Sequence, residues 1–100
     1  MDELLHLLKQ QSSGIRTFSA YLQRALALGQ IDEANAAQYA LLGALAGRFV
    51  SSYDGAPLAA GVAARAHAQL VLHTEDARKS IAGSASEKLA LLNTIAAAEL

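Results

Sequence analysis

Apolar side chains near the start of the chain recur every three or four residues, the spacing of one face of an α-helix. The residues at this spacing are Leu4, Leu8, Gln11, Ile15, Phe18, Leu22 and Ala25, with only Gln11 polar. A half-buried strand would instead alternate apolar and polar residues. Because the phase of the pattern survives Ser12-Ser13-Gly14, it predicts one long helix from Asp2 to about Leu28, kinked near those three residues.

Turn-forming residues divide the rest of the chain into further helices. The predicted second helix runs from Asp32 to just before Asp54, the third has Pro57 in its first turn and ends near Lys79, and the fourth opens at Ser84. Ser84 followed by Glu87 matches a capping box. Alanine supplies 23 residues and leucine 17, against seven for valine and isoleucine together, and this mixture favours helix over strand. The prediction is an all-α fold: one domain, residues 1–100, forming a bundle of about four helices.

The charge pattern argues against several classes of partner. Eight basic and nine acidic residues give a net charge of −1, with both signs mixed along the chain. Direct binding of nucleic acid is therefore not expected, since it would require a basic face. No apolar run reaches the roughly 18 residues of a membrane span, and the acidic start Met1-Asp2-Glu3 does not resemble a signal peptide. Together with the absence of cysteine, these features predict a cytoplasmic protein.

Catalytic or metal chemistry would need several ionisable side chains converging on one place. The chain has no cysteine and three histidines. His67 and His73 are six residues apart, so a helix points them about 120° away from each other. His67 lies among alanines and is predicted to be a buried, hydrogen-bonded histidine. We therefore expect no catalytic residue, no cofactor and no metal site.

One short stretch supports a different hypothesis. His6-Leu7-Leu8-Lys9 resembles the His-x-Leu-Lys motif of histidine phosphotransfer domains, which are helical bundles of similar size. The resemblance implies a phosphorelay carrier that uses His6. His73 is a second candidate for this role, outside the matching stretch. The resemblance covers four residues of 100, and Gln10 stands where that family has a glycine.

A row of small residues follows one side of the predicted second helix. Ala36, Ala40, Gly43 and Gly47 form this groove. Glycine inside a helix costs roughly 0.8–1 kcal/mol relative to alanine, so two glycines indicate that something approaches the helix closely there. Either the Ala60, Ala64 and Ala68 side of the third helix fills the groove within the monomer, or a second copy or another partner fills it.

The low fraction of charged residues gives the main functional expectation. Charged residues make up 17% of the chain, against about 25% in an average soluble domain, and surplus apolar surface is typical of a protein that binds other proteins. We expect a non-enzymatic adaptor, chaperone or inhibitor, including a phage- or plasmid-type inhibitor of a nucleic-acid-processing complex, and a homodimer as its state. The predicted interface comprises Ala36, Ala40, Gly43 and Gly47, with the basic residues Lys9, Arg16 and Arg24 on the solvent side of the first helix.

Overall fold

The structure is a computed structural model that describes residues 1–53 and 55–100. Within these ranges it contains five α-helices and no strand: α1 (Asp2–Gln10), α2 (Ile15–Ile31), α3 (Ala36–Ser52), α4 (Ala60–Ser80) and α5 (Ala85–Ala97). A short 3₁₀ turn, Glu33–Asn35, precedes α3. The all-α prediction is confirmed, and the number of helices is five instead of about four.

The predicted long first helix is wrong, because the chain leaves the helical conformation between α1 and α2. Gln11 is extended, and Gly14 is the extended residue that precedes α2. The Thr17 hydroxyl donates a hydrogen bond to the carbonyl of Ser12, and the amides of Thr17 and Phe18 donate to the carbonyl of Gly14. Serine and glycine favour helix ends over helix interiors, and here that local preference divides the helix where a kink was expected.

Helices α2 and α3 form an antiparallel hairpin whose inner side is the centre of the core. Phe18 of α2 packs against Phe49 of α3, with ring centroids 4.5 Å apart, and Tyr53 extends the aromatic cluster 5.0 Å beyond Phe49. Tyr21 and Leu42 are fully buried on the same side. The hairpin therefore supplies most of the large side chains of the core.

The other three helices cover the inner side of this hairpin. Helix α1 packs against α2 and α4, and α5 packs against α3 and α4. Leu4 and Leu8 of α1, Leu70 of α4 and Ile95 of α5 have no exposed surface. Each of these three helices thus contributes apolar side chains to a single core that lies on one side of α2 and α3.

Helix α4 differs from its prediction in its start and in its buried face. Pro57 lies in an extended segment before the helix, from which Leu58 packs against the core, and α4 begins at Ala60. The face of α4 that packs inward comprises Ala63, Ala66, Leu70, Thr74, Ala77 and Ser80. Ala60 and Ala64, predicted to be buried, are exposed.

Of two further details of the prediction, one is confirmed and the other is wrong. Ser84 precedes α5, and its side chain accepts a hydrogen bond from the amide of Glu87 at 3.2 Å, which confirms the predicted helix start. On a helical wheel that continues the second helix back to Ile31, this residue falls in one arc with Leu42 and Phe49, which predicts a buried side chain, but its side chain is 79% exposed. The reason is that Ile31 is the last residue of α2 and belongs to a different helix from the other two.

Candidate functional site

The α2–α3 hairpin has a second side, opposite Leu42 and Phe49 on α3, that is partly open to solvent. We call this side the outer face and define it by Leu22, Gln23, Leu26 and Gln30 of α2 and by Ala36, Ala40, Gly43, Ala44 and Gly47 of α3. These residues follow helical spacing on each helix, and every one of them is uncharged. Leu26 is 49% exposed, and Ala40 and Ala44 are exposed as well. The outer face therefore presents an apolar surface with two glutamine side chains.

The glycine half of the outer face is packed within the monomer by α2. A β-carbon added to Gly43 would lie 3.4 Å from the β-carbon of Ala25 and 3.5 Å from Cδ1 of Leu22. A β-carbon on Gly47 would lie 3.4 Å from Cδ2 of Leu22. Gly43 and Gly47 thus allow α2 to approach α3 closely, and Leu22 fills the groove at this end.

The third-helix alternative for the groove is therefore wrong. Ala64 and Ala68 of α4 are exposed, and the neighbours of Gly43 and Gly47 are α2 side chains instead. The sequence pattern showed that a close neighbour exists but did not identify it. The consecutive helix α2 takes this position because the short connection after Ile31 turns the chain straight back on itself.

The alanine half of the outer face is open and contains a depression of about 240 Å³. Its walls are Ala25, Leu26, Gly29, Gln30, Ala36 and Ala40. Leu26 stands at its edge with half of its side chain in solvent. Leu26 thus adds exposed apolar surface to the wall of this depression.

The turn between α2 and α3 fixes the position of this depression. A β-carbon on Gly29 would come within 3.2 Å of the β-carbon of Tyr39, so only glycine allows the two helices to be this close without displacement of Tyr39. The Asp32 amide donates to the carbonyl of Leu28, and the Asn35 side chain donates to the Asp32 carboxylate at 3.0 Å. These contacts hold Ala36 beside the end of α2.

The structure places two of the three predicted basic residues in ion pairs, while Arg16 lies seven residues before Gln23 on the same stripe of α2. Lys9 pairs with Glu75 of α4 at 3.7 Å, and Arg24 pairs with Glu3 of α1. Both ion pairs join α1 to its neighbours, while Arg16 is exposed near the start of α2. A role for Lys9, Arg16 and Arg24 at an interface stays a prediction.

The three histidines occupy separate positions on α1 and α4. His67 is half-buried, and its Nε2 lies 2.8 Å from the carbonyl oxygen of Leu8, to which it donates a hydrogen bond near the end of α1. It is therefore hydrogen bonded as predicted but less buried than expected. His6 is exposed and His73 is half-buried. Within residues 1–53 and 55–100, no three histidine, aspartate or glutamate side chains come together in a way that would hold a metal ion.

A second depression, of about 290 Å³, lies at the end of α3. Leu45 and Phe49 form its base, and Arg48 and Glu99 stand at its edge. The Arg48 guanidinium donates to the carbonyl of Ala98 at 3.2 Å. The Arg48 side chain thus connects the segment after α5 to α3, and we assign it a structural role in holding that segment.

Sequence reasoning missed the α2 side of the outer face. Leu22 was placed in the apolar stripe of the first helix, Gly29 and Gln30 were interpreted only as a break between helices, and Leu26 was assigned no role. The available signal was the row of small residues on the next helix: a short connection makes consecutive helices antiparallel neighbours, so the leucines of α2 had to face that row.

Comparison of the chain with models of known protein families, with curated proteins and with solved structures finds no match in any of the three. In the part of the chain that the structure describes, no helix combines the length and apolarity of a membrane span.

Proposed function

We propose that this chain is a non-enzymatic protein-interaction module that docks on another protein through the outer face. The observation that carries the proposal is the exposed Leu26 at the edge of the 240 Å³ apolar depression. The partner surface that suits it is apolar and helical, because side chains at three- and four-residue spacing enter a groove between two helices.

The composition of the outer face favours a protein-binding surface over a catalytic site. None of its defining residues has an ionisable side chain, so the surface offers neither a proton donor nor a nucleophile to a small substrate. An apolar surface that spans two helices is instead typical of a site where water is displaced by another chain.

The fold explains why this face is available for docking. Helices α1, α4 and α5 all pack on the inner side of the hairpin. Glycines on α3 already bring α2 close, so the outer face is a stable two-helix surface before any partner arrives. A preformed surface reduces the entropy lost on binding.

The proposed setting is the cytoplasm, and the proposed role is that of an adaptor, chaperone or inhibitor. A fluorescent fusion observed in the native cells tests the compartment. Diffuse cytoplasmic signal is expected, and accumulation at a membrane or outside the cell would contradict this part of the proposal.

The docking proposal is tested by affinity capture from native cell extract with three forms of the protein: wild type, Leu26→Lys and Leu72→Lys. Leu72 lies on α4 and is 61% exposed, so its lysine variant is a matched control away from the outer face. We expect wild type and Leu72→Lys to retain the same partner and Leu26→Lys to lose it. Equal retention by a folded Leu26→Lys would contradict the proposal.

A further inference from the structure

We infer that α5 is a displaceable cover on the core: it detaches from α3 and α4 as a unit while the other four helices stay folded. The inference goes beyond the proposed function, because it concerns the inner side of the hairpin and does not depend on the outer face. It rests on the small buried surface of α5, on its polar contacts and on the packing of the segment that follows it.

Helix α5 contributes fewer buried side chains to the core than any other α-helix. Among its 13 residues only Ile95 is buried, whereas the nine residues of α1 include three buried leucines. Leu91 is half-buried against the core, and Leu89 is 59% exposed. Because removal of apolar surface from water is the main force that holds a helix in place, α5 is held more weakly than its neighbours.

Polar contacts do not compensate for this small buried surface. The ion pairs of the described residues all join α1 to α2 or to α4. The side-chain hydrogen bonds of α5 are local instead: Ser84 pairs with Glu87, and Thr94 donates to the carbonyl of Ala90. Within residues 1–53 and 55–100, no side chain of α5 makes a hydrogen bond or an ion pair to another helix.

The segment after α5 is held by one polar contact at the surface. The Arg48 side chain, which donates to the carbonyl of Ala98, is exposed, so water competes for its guanidinium. The depression of about 290 Å³ lies beside this contact, with Phe49 and Leu100 among its walls. Packing at this end of α5 is therefore incomplete, and side chains next to unfilled space lose part of their dispersion contacts.

Helix α5 should open as one unit because it is too short to be stable alone. Isolated helices shorter than about 12–15 residues are marginal in water, so a detached α5 loses its backbone hydrogen bonds. The turn over residues 81–84 separates it from α4, which ends where the Gly83 amide donates to the carbonyl of Ser80. Detachment is therefore visible in amide hydrogen exchange.

Opening uncovers the surface of α3 and α4 on which α5 packs. In the closed state α5 keeps that part of the core away from solvent and from other chains, which makes it an autoinhibitory contact. Since exposure of apolar core surface is unfavourable, the open state is a minor population.

The test is amide hydrogen exchange of the whole chain, followed by NMR residue by residue, where exchange rates report opening equilibria. In wild type, the slowest amides of α5 should exchange roughly tenfold or more faster than the slowest amides of α2 and α3. Helix α1 is the internal control: it is shorter than α5, but its buried leucines should give it slower exchange.

Two conservative variants separate local opening from global unfolding. Tyr21→Phe removes a hydrogen bond between α2 and α4 that stays formed when α5 detaches. Exchange at α2 and α3 should therefore rise about two- to tenfold, while exchange at α5 stays unchanged. Ile95→Val weakens a contact that is lost in the open and in the unfolded state, so exchange should rise about two- to tenfold at α5 and at α2 and α3 alike.

Two outcomes would overturn the inference: wild-type α5 amides that exchange as slowly as those of α2 and α3, or a Tyr21→Phe variant in which exchange at α5 rises as much as at α2 and α3. Either result would mean that α5 opens only when the whole fold unfolds. Neither would affect the docking proposal, since both variants leave the outer face unaltered.

Discussion

At the scale of single residues, buried polar groups hold the helices of this small core in one arrangement. The Thr74 hydroxyl donates to the carbonyl of Leu70 at 2.7 Å and accepts a hydrogen bond from the Tyr21 hydroxyl at 2.8 Å. Both side chains are fully buried. Since a buried hydroxyl without a partner is costly, this pair fixes how α2 and α4 face each other across the core.

Removing one hydroxyl of this pair should weaken the fold by a modest amount. We expect Tyr21→Phe to reduce the free energy of unfolding by about 0.5–1.5 kcal/mol, the usual net contribution of one hydrogen bond, because the ring still fills the same space. Urea unfolding followed by circular dichroism measures the change. Tyr53→Phe, at a half-buried position, is the control, and an equal loss in both variants would contradict the assignment.

The same tyrosine predicts how stability changes at high pH. Burial raises the pKa of the Tyr21 phenol above its ordinary value of 10.0, and burial together with the charges of Asp32, Glu3 and Asp2 raises the pKa of Tyr39. Above pH 10 the unfolded chain loses these protons while the folded chain keeps them. Stability from these groups is therefore fully present below pH 10 and is lost as the pH rises further.

The corresponding measurement is urea unfolding at several pH values between 9 and 11. We expect the unfolding free energy to fall above pH 10, with Tyr21 contributing up to about 1.4 kcal/mol per pH unit. Tyr21→Phe should show a shallower fall than wild type. Identical slopes for the two proteins would show that Tyr21 ionises as readily in the folded state as in the unfolded one.

At the scale of helices, the α2–α3 contact determines which glycines are replaceable. Gly43 faces the β-carbon of Ala25, which is part of a helix and has little room to move, whereas Gly47 faces only the flexible end of Leu22. A methyl group at either position would stand 3.4 Å from its nearest neighbour, an ordinary van der Waals distance, so both should accept alanine, whereas a longer side chain at Gly43 meets the β-carbon of Ala25.

Substitution at these two positions gives a pair of opposite expectations. Gly43→Leu should overpack the hairpin and destabilise the fold by about 1–3 kcal/mol or more. Gly47→Ala should be neutral or stabilising by up to about 1 kcal/mol, because alanine has the higher helix propensity and Leu22 can adjust. Thermal unfolding compares both with wild type. A Gly43→Leu variant as stable as wild type would mean that α2 does not pack here.

At the scale of the whole molecule, the homodimer expected from the composition should be visible in thermal stability. A dimer stabilises the folded state by mass action, so the Tm of wild type should rise with protein concentration. A wild-type Tm independent of concentration across the micromolar range would contradict that expectation.

The class of fold was predictable from the sequence because helical periodicity and composition are local properties, which each segment of the chain shows without its tertiary neighbours. The apolar positions Leu4, Leu8, Phe18 and Ala25 are all buried, and Ser84 caps the start of α5 as expected. The break before Gly14 was missed because a four-residue interruption spans about one helical turn and leaves the phase of the pattern intact.

The candidate site was predicted only in part because it is made by two helices. The small residues Ala36, Ala40, Gly43 and Gly47 indicated a surface made for packing, but a pattern within one helix does not show which helix approaches it. The structure divides the row into a glycine half packed by Leu22 and an alanine half beside Leu26. That division depends on the register of the hairpin, a tertiary property.

The measurement that tests the docking surface most directly is photo-cross-linking in the native cells, with a photoreactive amino acid placed at position 26 or, as a control, at position 72. Both leucines are about half exposed, at 49% and 61%, and they lie on different sides of the molecule. The docking proposal predicts a discrete protein cross-link from position 26 that position 72 does not form. No cross-link from position 26, or the same products from both positions, would contradict it.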